Sequence, residues 1–414
     1  MGPNGRLYAD PRNQPDETRF QVDNTSAAYY NSPYYLAHKA QVQPIPPRRS
    51  NQPADLRDYL PAPMIQSIVA SGKVSFHAVG DTGAAKVNRS QTPATALEHQ
   101  GHVADIMAAD IDGVDPAQAP AFFFHLGDVI YNFGEAQYYY DQFYEPYRDY
   151  DRPIFAIPGN HDAMTYGPAA AAPAVPTLQA FLANFCAAEP GRSPNSGGLM
   201  RSVVNQPGVY FTLDAPFVSI IGLYSNALDS GPGVISSQGR KYPIGDDQLA
   251  FLKQELTRLK GDREAHSRAI VLAVHHPPLS VDARHGGSTG LSNDIDDCCR
   301  AAGIWPDMVL AGHAHLYQRY TRRMPGGTQL PYIVAGCGGF AATQPMQGLP
   351  KAPATVGDHT LAIDPIVDFG YVTVTVDANK KQLSAIFNQV GTKGTKHTGD
   401  QVVVDLAKRT IVKG

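Results

Sequence analysis

Five short apolar runs in this chain each end in the same way. "VSFHAV" is closed by "GDTG", "AFFFHL" by "GDVIY", "IFAI" by "PGNHD", "IVLAV" by "HHPP" and "MVLA" by "GHAH". Runs of this length, rich in β-branched and aromatic residues and separated by helix-like stretches, are the pattern of an α/β sheet. In open α/β sheets the ligand crevice lies outside the carboxyl ends of the strands. The five closings therefore deliver their polar residues to one rim, although they are spread over more than two hundred positions. Those residues are Asp81, Asp128 with Tyr131, Asn160 with His161, His275 with His276, and His313 with His315. A glycine ahead of Asp81, Asp128, Asn160 and His313 lets the backbone turn sharply there.

Carboxylates, an amide oxygen, imidazoles and a phenol form a mixed oxygen and nitrogen donor set. It suits a pair of borderline-to-hard metal ions held close together. A structural zinc site would need four ligands, usually with sulfur, and no cysteine stands at these five ends. His77 and His125 lie inside apolar runs and read as hydrogen-bonded core histidines. Cys186 and Cys337 stand alone and Cys298 adjoins Cys299, a distribution that reads as free thiols, with Cys337 filling space at a further strand end.

With these motifs in this order the chain resembles the calcineurin-like metallophosphoesterases, and within them the purple acid phosphatases. The superfamily opens on Asp-x-His, whereas here Gly83 stands third in "DTG". The purple acid phosphatases share that loss and make it good with a tyrosine in the second motif, which is the place of Tyr131. The resemblance runs from about residue 74 to 375 and takes in "HLYQRY" and "YIVAGCGGF". It implies an α/β fold, the four-layer α-β-β-α sandwich of two mixed sheets, with residues 71–414 as the catalytic domain behind an irregular N-terminal arm over 1–70.

The resemblance also implies the ligand sets. Iron(III) would be held by Asp81, Tyr131, His315 and a bridging Asp128. A divalent ion (iron, zinc or manganese) would be held by Asp128, Asn160, His275 and His313. Independently, a phenol with an ordinary pKa near 10 is readily deprotonated by a trivalent cation. The family pattern places one residue between the ligand histidine and a proline, which selects His275 and leaves His276 behind the ligands. His161 and His285 are the residues expected to touch substrate. The implied reaction is attack of a metal-activated hydroxide on phosphorus, without a covalent phosphoenzyme. A phosphate monoester is the expected substrate. A phosphodiesterase on the same ions is the alternative, and a non-catalytic phosphate-binding scaffold a further one.

Outside these motifs the first sixty-odd residues are rich in Pro, Asn, Tyr and Arg without a sustained period, as expected of an arm that crosses its own domain or reaches a second copy. "PIPPRR" resembles a polyproline ligand. Helices are expected over "PATALEHQGHVADIMAAD", "EAQYYYDQFYEPY", "TLQAFLANFCAA" and "GDDQLAFLKQELTRLK", and a hairpin over "YVTVTVDANKKQLSAIF". The segments "AMTYGPAAAAPAVP" and "DARHGGSTG" leave the rim as long irregular stretches and are expected to set specificity. A formal net charge of −4 argues against nucleic acid or an anionic membrane as partner. No secretory apolar region opens the chain and no span is long enough for a membrane helix, so a cytoplasmic location is expected.

Overall fold

The computed structural model describes residues 45–83, 93–131, 134–163, 177–199, 201–225, 233–237 and 244–414. The β-branched and aromatic runs form two large mixed sheets. One has seven strands, in the order Thr410–Lys413, His397–Asp405, Gln382–Gln389, Gly370–Asp377, Lys73–Val79, Phe123–His125, Ile154–Ala156. Its last three strands are parallel, so the chain leaves all three on the same side. The expected hairpin is present, with Gly370–Asp377 antiparallel to Gln382–Gln389.

The other sheet has nine strands and is centred on Val218–Leu223, Ala269–Val274, Met308–Ala311 and Gln329–Ala335, which run parallel to one another. These central strands are buried on both faces, as near-continuous apolar runs require. The two sheets share one core, in which Phe124 of the first stacks on Phe211 of the second at 6.0 Å. Helices Asp247–His266 and Thr289–Ala302 pack on each other against the nine-stranded sheet, while Ala62–Ser71 and Pro93–Ala109 lie on the seven-stranded one. This is the expected four-layer arrangement.

Several local expectations need correction. The stretch 54–70, expected in the arm, is built into the fold. Ala54–Asp55 pairs in parallel with Phe211–Ala215, and Ala62–Ser71 is a helix that starts on Pro61 and buries Ile65 and Ile68. Pro61 is the cap and Pro63 lies in the first turn, where a missing N–H would have no partner, so these prolines open a helix and do not signal irregular chain. Arg49 donates to the carbonyls of Asn205 and Gln206 at 2.7 and 2.9 Å, anchoring the start of this segment. Residues 1–44 lie outside the described residues, and with them most of the arm proposed to join two copies.

"EAQYYYDQFYEPY" is helical but not α: a 3₁₀ turn over Ala136–Tyr138 passes into a π turn over Tyr140–Tyr144. Tyr138, Tyr139, Tyr140, Phe143, Tyr144 and Tyr147 are all buried, more than one face of a regular helix can direct into a core. In "TLQAFLANFCAA" the helix covers Gln179–Phe185, and Cys186 opens a strand paired with Ser202–Asn205. Thr289–Ala302 is a helix that the sequence reading did not contain. The Ala/Pro-rich segment 164–176 lies outside the described residues. Among the described residues no helix is long and apolar enough to cross a membrane.

Candidate metal centre

The carboxyl ends of Lys73–Val79, Phe123–His125 and Ile154–Ala156 meet those of Ala269–Val274 and Met308–Ala311 where the two sheets adjoin. A hydrogen bond joins the sheets there: His275 Nδ1 is 2.8 Å from the Leu126 carbonyl, which fixes the ring and turns Nε2 toward the rim. Nε2 then lies 3.2 Å from Asn160 Oδ1 and 3.4 Å from Asp128 Oδ2. Ligating atoms of Asp128, His275 and His313 fall within 4.8 Å of one another.

The second cluster is built around Tyr131. Its phenol oxygen lies 2.9 Å from Asp128 Oδ2, 3.0 Å from Asp81 Oδ1 and 3.3 Å from His315 Nε2. His315 Nε2 is in turn 3.3 Å from Asp81 Oδ1. Asp128 belongs to both clusters, as a bridging carboxylate must. All seven residues expected as ligands are thus brought together, and a mixed oxygen and nitrogen set of this kind fits two closely spaced cations.

The backbone around these groups is strained. Asp81, Asp128 and His313 have φ of 58°, 54° and 68°, in the left-handed region that non-glycine residues avoid. Such conformations cost about 1–3 kcal/mol each and persist where the surroundings over-determine them. Here the His313 amide donates to Asp81 Oδ2 at 2.7 Å and the His161 amide to Asp128 Oδ1 at 2.9 Å. Asp162, the last residue of "GNHD", accepts from the amides of Val129, Ile130 and Gly159 at 2.8–3.1 Å and ties the second and third motif loops together. The approach is close: a Cβ on Gly159 would fall 2.0 Å from Asp128 Oδ1.

The Gly83 and Tyr131 pairing has a direct steric cause. A Cβ on residue 83 would stand 3.1 Å from the Tyr131 ring and 2.6 Å from both Gln142 Oε1 and the Val129 carbonyl. Gln142 holds the backbone of Tyr131 from both sides, accepting from its amide at 2.8 Å and donating to its carbonyl at 2.9 Å. The space for a side chain at 83 is occupied by the loop that delivers the phenol. Phe340 covers the other side of that phenol, parallel to it at 3.6 Å.

Charge within the cluster is balanced internally. Burial opposes the Asp128 carboxylate, yet His275, His161 and His313 hold its pKa well below the usual range. Burial also opposes the imidazolium of His275, but Asp128 and Asp81 raise it to about 9. Burial, Asp128 and Asp81 drive the Tyr131 phenol well above its ordinary value. A cation among these oxygens reverses the last effect and favours the phenolate.

The remaining expected residues surround the ligands. His161 is half-buried, its ring 4.3 Å from that of Tyr131. His276 faces away, with Nδ1 2.7 Å from Ser225 Oγ and its ring 4.3 Å from His313. His285 overlooks the centre at 4.7 Å from His313 and 5.0 Å from His315, ring to ring. His77 and His125 are core histidines as expected, bonded to Tyr150 at 3.1 Å and Thr82 at 2.8 Å. All four cysteines are buried and free. Phe340, Gln142 and Asp282 carried no sequence expectation, because their roles come only from contacts across the fold.

The family model for calcineurin-like phosphoesterases matches residues 74–317, which contain all seven residues expected as ligands. No curated protein sequence matches the chain. Among solved structures, the fold is similar to that of purple acid phosphatase PPD1 from yellow lupin (Lupinus luteus) seeds. That likeness has a TM-score of 0.52 at 15% identity and covers 80% of this chain and 54% of the lupin chain. It is also similar to GAP50, the anchor in the inner membrane complex of Plasmodium. There the TM-score is 0.50 at 15% identity, covering 79% of this chain and 88% of that one.

Proposed function

Because the chain belongs to the calcineurin-like phosphoesterase family, and is thereby a hydrolase of phosphoric esters, we propose that it hydrolyses phosphate monoesters as a purple acid phosphatase-like enzyme. The family implies a dinuclear metal centre. In this reading Asp81, Tyr131, His315 and Asp128 hold iron(III), and Asp128, Asn160, His275 and His313 hold a divalent ion, iron, zinc or manganese. The observation that carries it is the Tyr131 phenol, within 3.3 Å of two carboxylates and an imidazole. A phenol placed for packing alone would not be aimed into such a set. When bound, the two ions supply nucleophile activation and neutralise phosphoryl charge.

The chain's own residues supply orientation and proton handling. His161 is fixed through its amide on Asp128, so its ring is held beside Tyr131 and donates to the leaving oxygen. His285, on the other side of His313 and His315, contacts a phosphoryl oxygen. Phe340 and Tyr131, stacked face to face, close one wall against water. Two imidazoles outside the ligand set suit the dianionic group of a monoester better than the single charge of a diester.

The test is turnover of a chromogenic phosphate monoester beside the matching diester by the full metal-loaded chain. Faster monoester hydrolysis is expected. Preference for the diester moves the assignment to a phosphodiesterase on the same centre, and turnover of neither leaves a phosphate-binding scaffold.

A further inference from the structure

The segment that follows His275 and His276 returns over the centre and is pinned there from outside. The Val281 amide donates to Gln318 Oε1 at 2.8 Å, the Ala283 amide to the Gln344 carbonyl at 3.1 Å, and the Met346 amide to the Val281 carbonyl at 2.8 Å. The Thr343 amide donates to the carbonyl of His315 at 3.1 Å, so this clamp is joined to the ligand loop itself.

Inside the clamp sits Asp282, whose side chain is fully buried. Its Oδ1 accepts from the amides of Arg284 and His285 at 2.6 and 2.9 Å, and its Oδ2 accepts from the Thr343 hydroxyl. The same Oδ1 lies 3.5 Å from Nδ1 of His285, a buried ring nitrogen with no hydrogen-bond partner at that distance. The two amide bonds are those of an ordinary Asx turn and would explain an aspartate here by themselves. They do not explain why a buried carboxylate faces the unpartnered nitrogen of a histidine that hangs over His313 and His315. A small ring rotation closes the 3.5 Å gap, and hydrogen bonds of this kind are often long until substrate is bound.

We propose that Asp282 is a positioning residue for His285: it holds the proton on Nδ1 and so presents Nε2 to the phosphoryl group of the substrate. A carboxylate on the far nitrogen of a histidine fixes both tautomer and ring direction. The inference rests on the phosphatase reading above and deepens it.

Asp282→Asn tests it, because the amide keeps an oxygen for the two backbone donors and an NH₂ that the Thr343 oxygen can accept, so that mainly the charge is removed. In the full metal-loaded chain kcat is expected to fall about 10- to 100-fold, with metal content and unfolding midpoint unchanged. In a His285→Ala background the same substitution is expected to cost less than about 2-fold, since a positioning residue has nothing left to position. Full, additive losses in the two backgrounds would overturn the proposal and leave Asp282 a turn residue. A second readout does not depend on turnover. In the diamagnetic zinc-loaded chain, ¹⁵N signals of the His285 ring are expected to show Nδ1–H in the wild type and a mixture of tautomers in Asp282→Ala, which removes the acceptor facing Nδ1. If the wild type hydrolyses no phosphate ester, the phosphatase reading fails, and these signals alone decide whether Asp282 sets the tautomer. Identical signals in both proteins would overturn that claim.

Discussion

Gly83→Ala puts the explanation of the Gly83 and Tyr131 pairing to a quantitative test. The new methyl would lie 2.6 Å from Gln142 Oε1, 2.6 Å from the Val129 carbonyl and 3.1 Å from the Tyr131 ring. Gln142 can swing away only by releasing its two bonds to the Tyr131 backbone. Val129 cannot retreat easily, because its amide is held by Asp162 at 3.0 Å. Forcing a methyl into a filled core costs about 1–3 kcal/mol. Losing two buried hydrogen bonds adds about 1 kcal/mol each. The sum predicts a loss of about 3–5 kcal/mol in unfolding free energy, measured by urea denaturation. Displacing the loop also moves the phenol, so the metal-to-protein ratio of the purified variant should fall. Gly83→Ala within about 0.5 kcal/mol of wild type, with full metal content, would refute the steric argument.

Three other outcomes follow from the same geometry. Asp128→Asn removes the charge shared by both clusters, and loss of one or both metals with nearly all activity is expected while circular dichroism stays native; two retained metals with normal turnover would contradict the bridge. His161→Ala should lower kcat about 10²- to 10⁴-fold with both metals in place, and an alkyl phosphate should suffer more than an aryl phosphate, whose phenolate needs little protonation. Burial opposes the Asp110 carboxylate, but His77, Lys396 and Tyr371 hold its pKa at about 2. A depressed folded-state pKa means that its stabilisation is present above the unfolded value near 3.9 and is lost as pH falls through about 2. Asp110→Asn should therefore flatten the stability profile between about pH 4 and 2, and an unchanged profile would contradict that ion pair.

The clustering of the candidate site was legible because its information is local. Each candidate ligand stands within a few residues of a strand end, and strand ends of parallel sheets converge whatever lies between them. Tyr131 was legible through Gly83, since a missing group and its replacement occur in one chain. The helix Ala62–Ser71 was obscured by the Pro- and Asn-rich stretch before it, although Pro63 suits the first turn of a helix. Thr289–Ala302 does carry a local signal in Ser288, which caps it through the Leu291 amide at 3.3 Å. The π turn at Tyr140–Tyr144 could not be read, because its shape follows from burying six aromatic rings against the rest of the core. The contact of Asp282 with Thr343, 61 residues apart, exists only in the folded chain.

In the proposed function Tyr131 is a ligand to a trivalent iron in a two-metal centre. The visible absorption spectrum of the iron-loaded wild type beside that of Tyr131→Phe, with metal analysis of both, tests it most directly. A phenolate on iron(III) gives a charge-transfer band in the visible, so the wild type is expected to be coloured and Tyr131→Phe bleached. Two zinc or two manganese ions in a colourless, active wild type, or a band that survives in Tyr131→Phe, would contradict it.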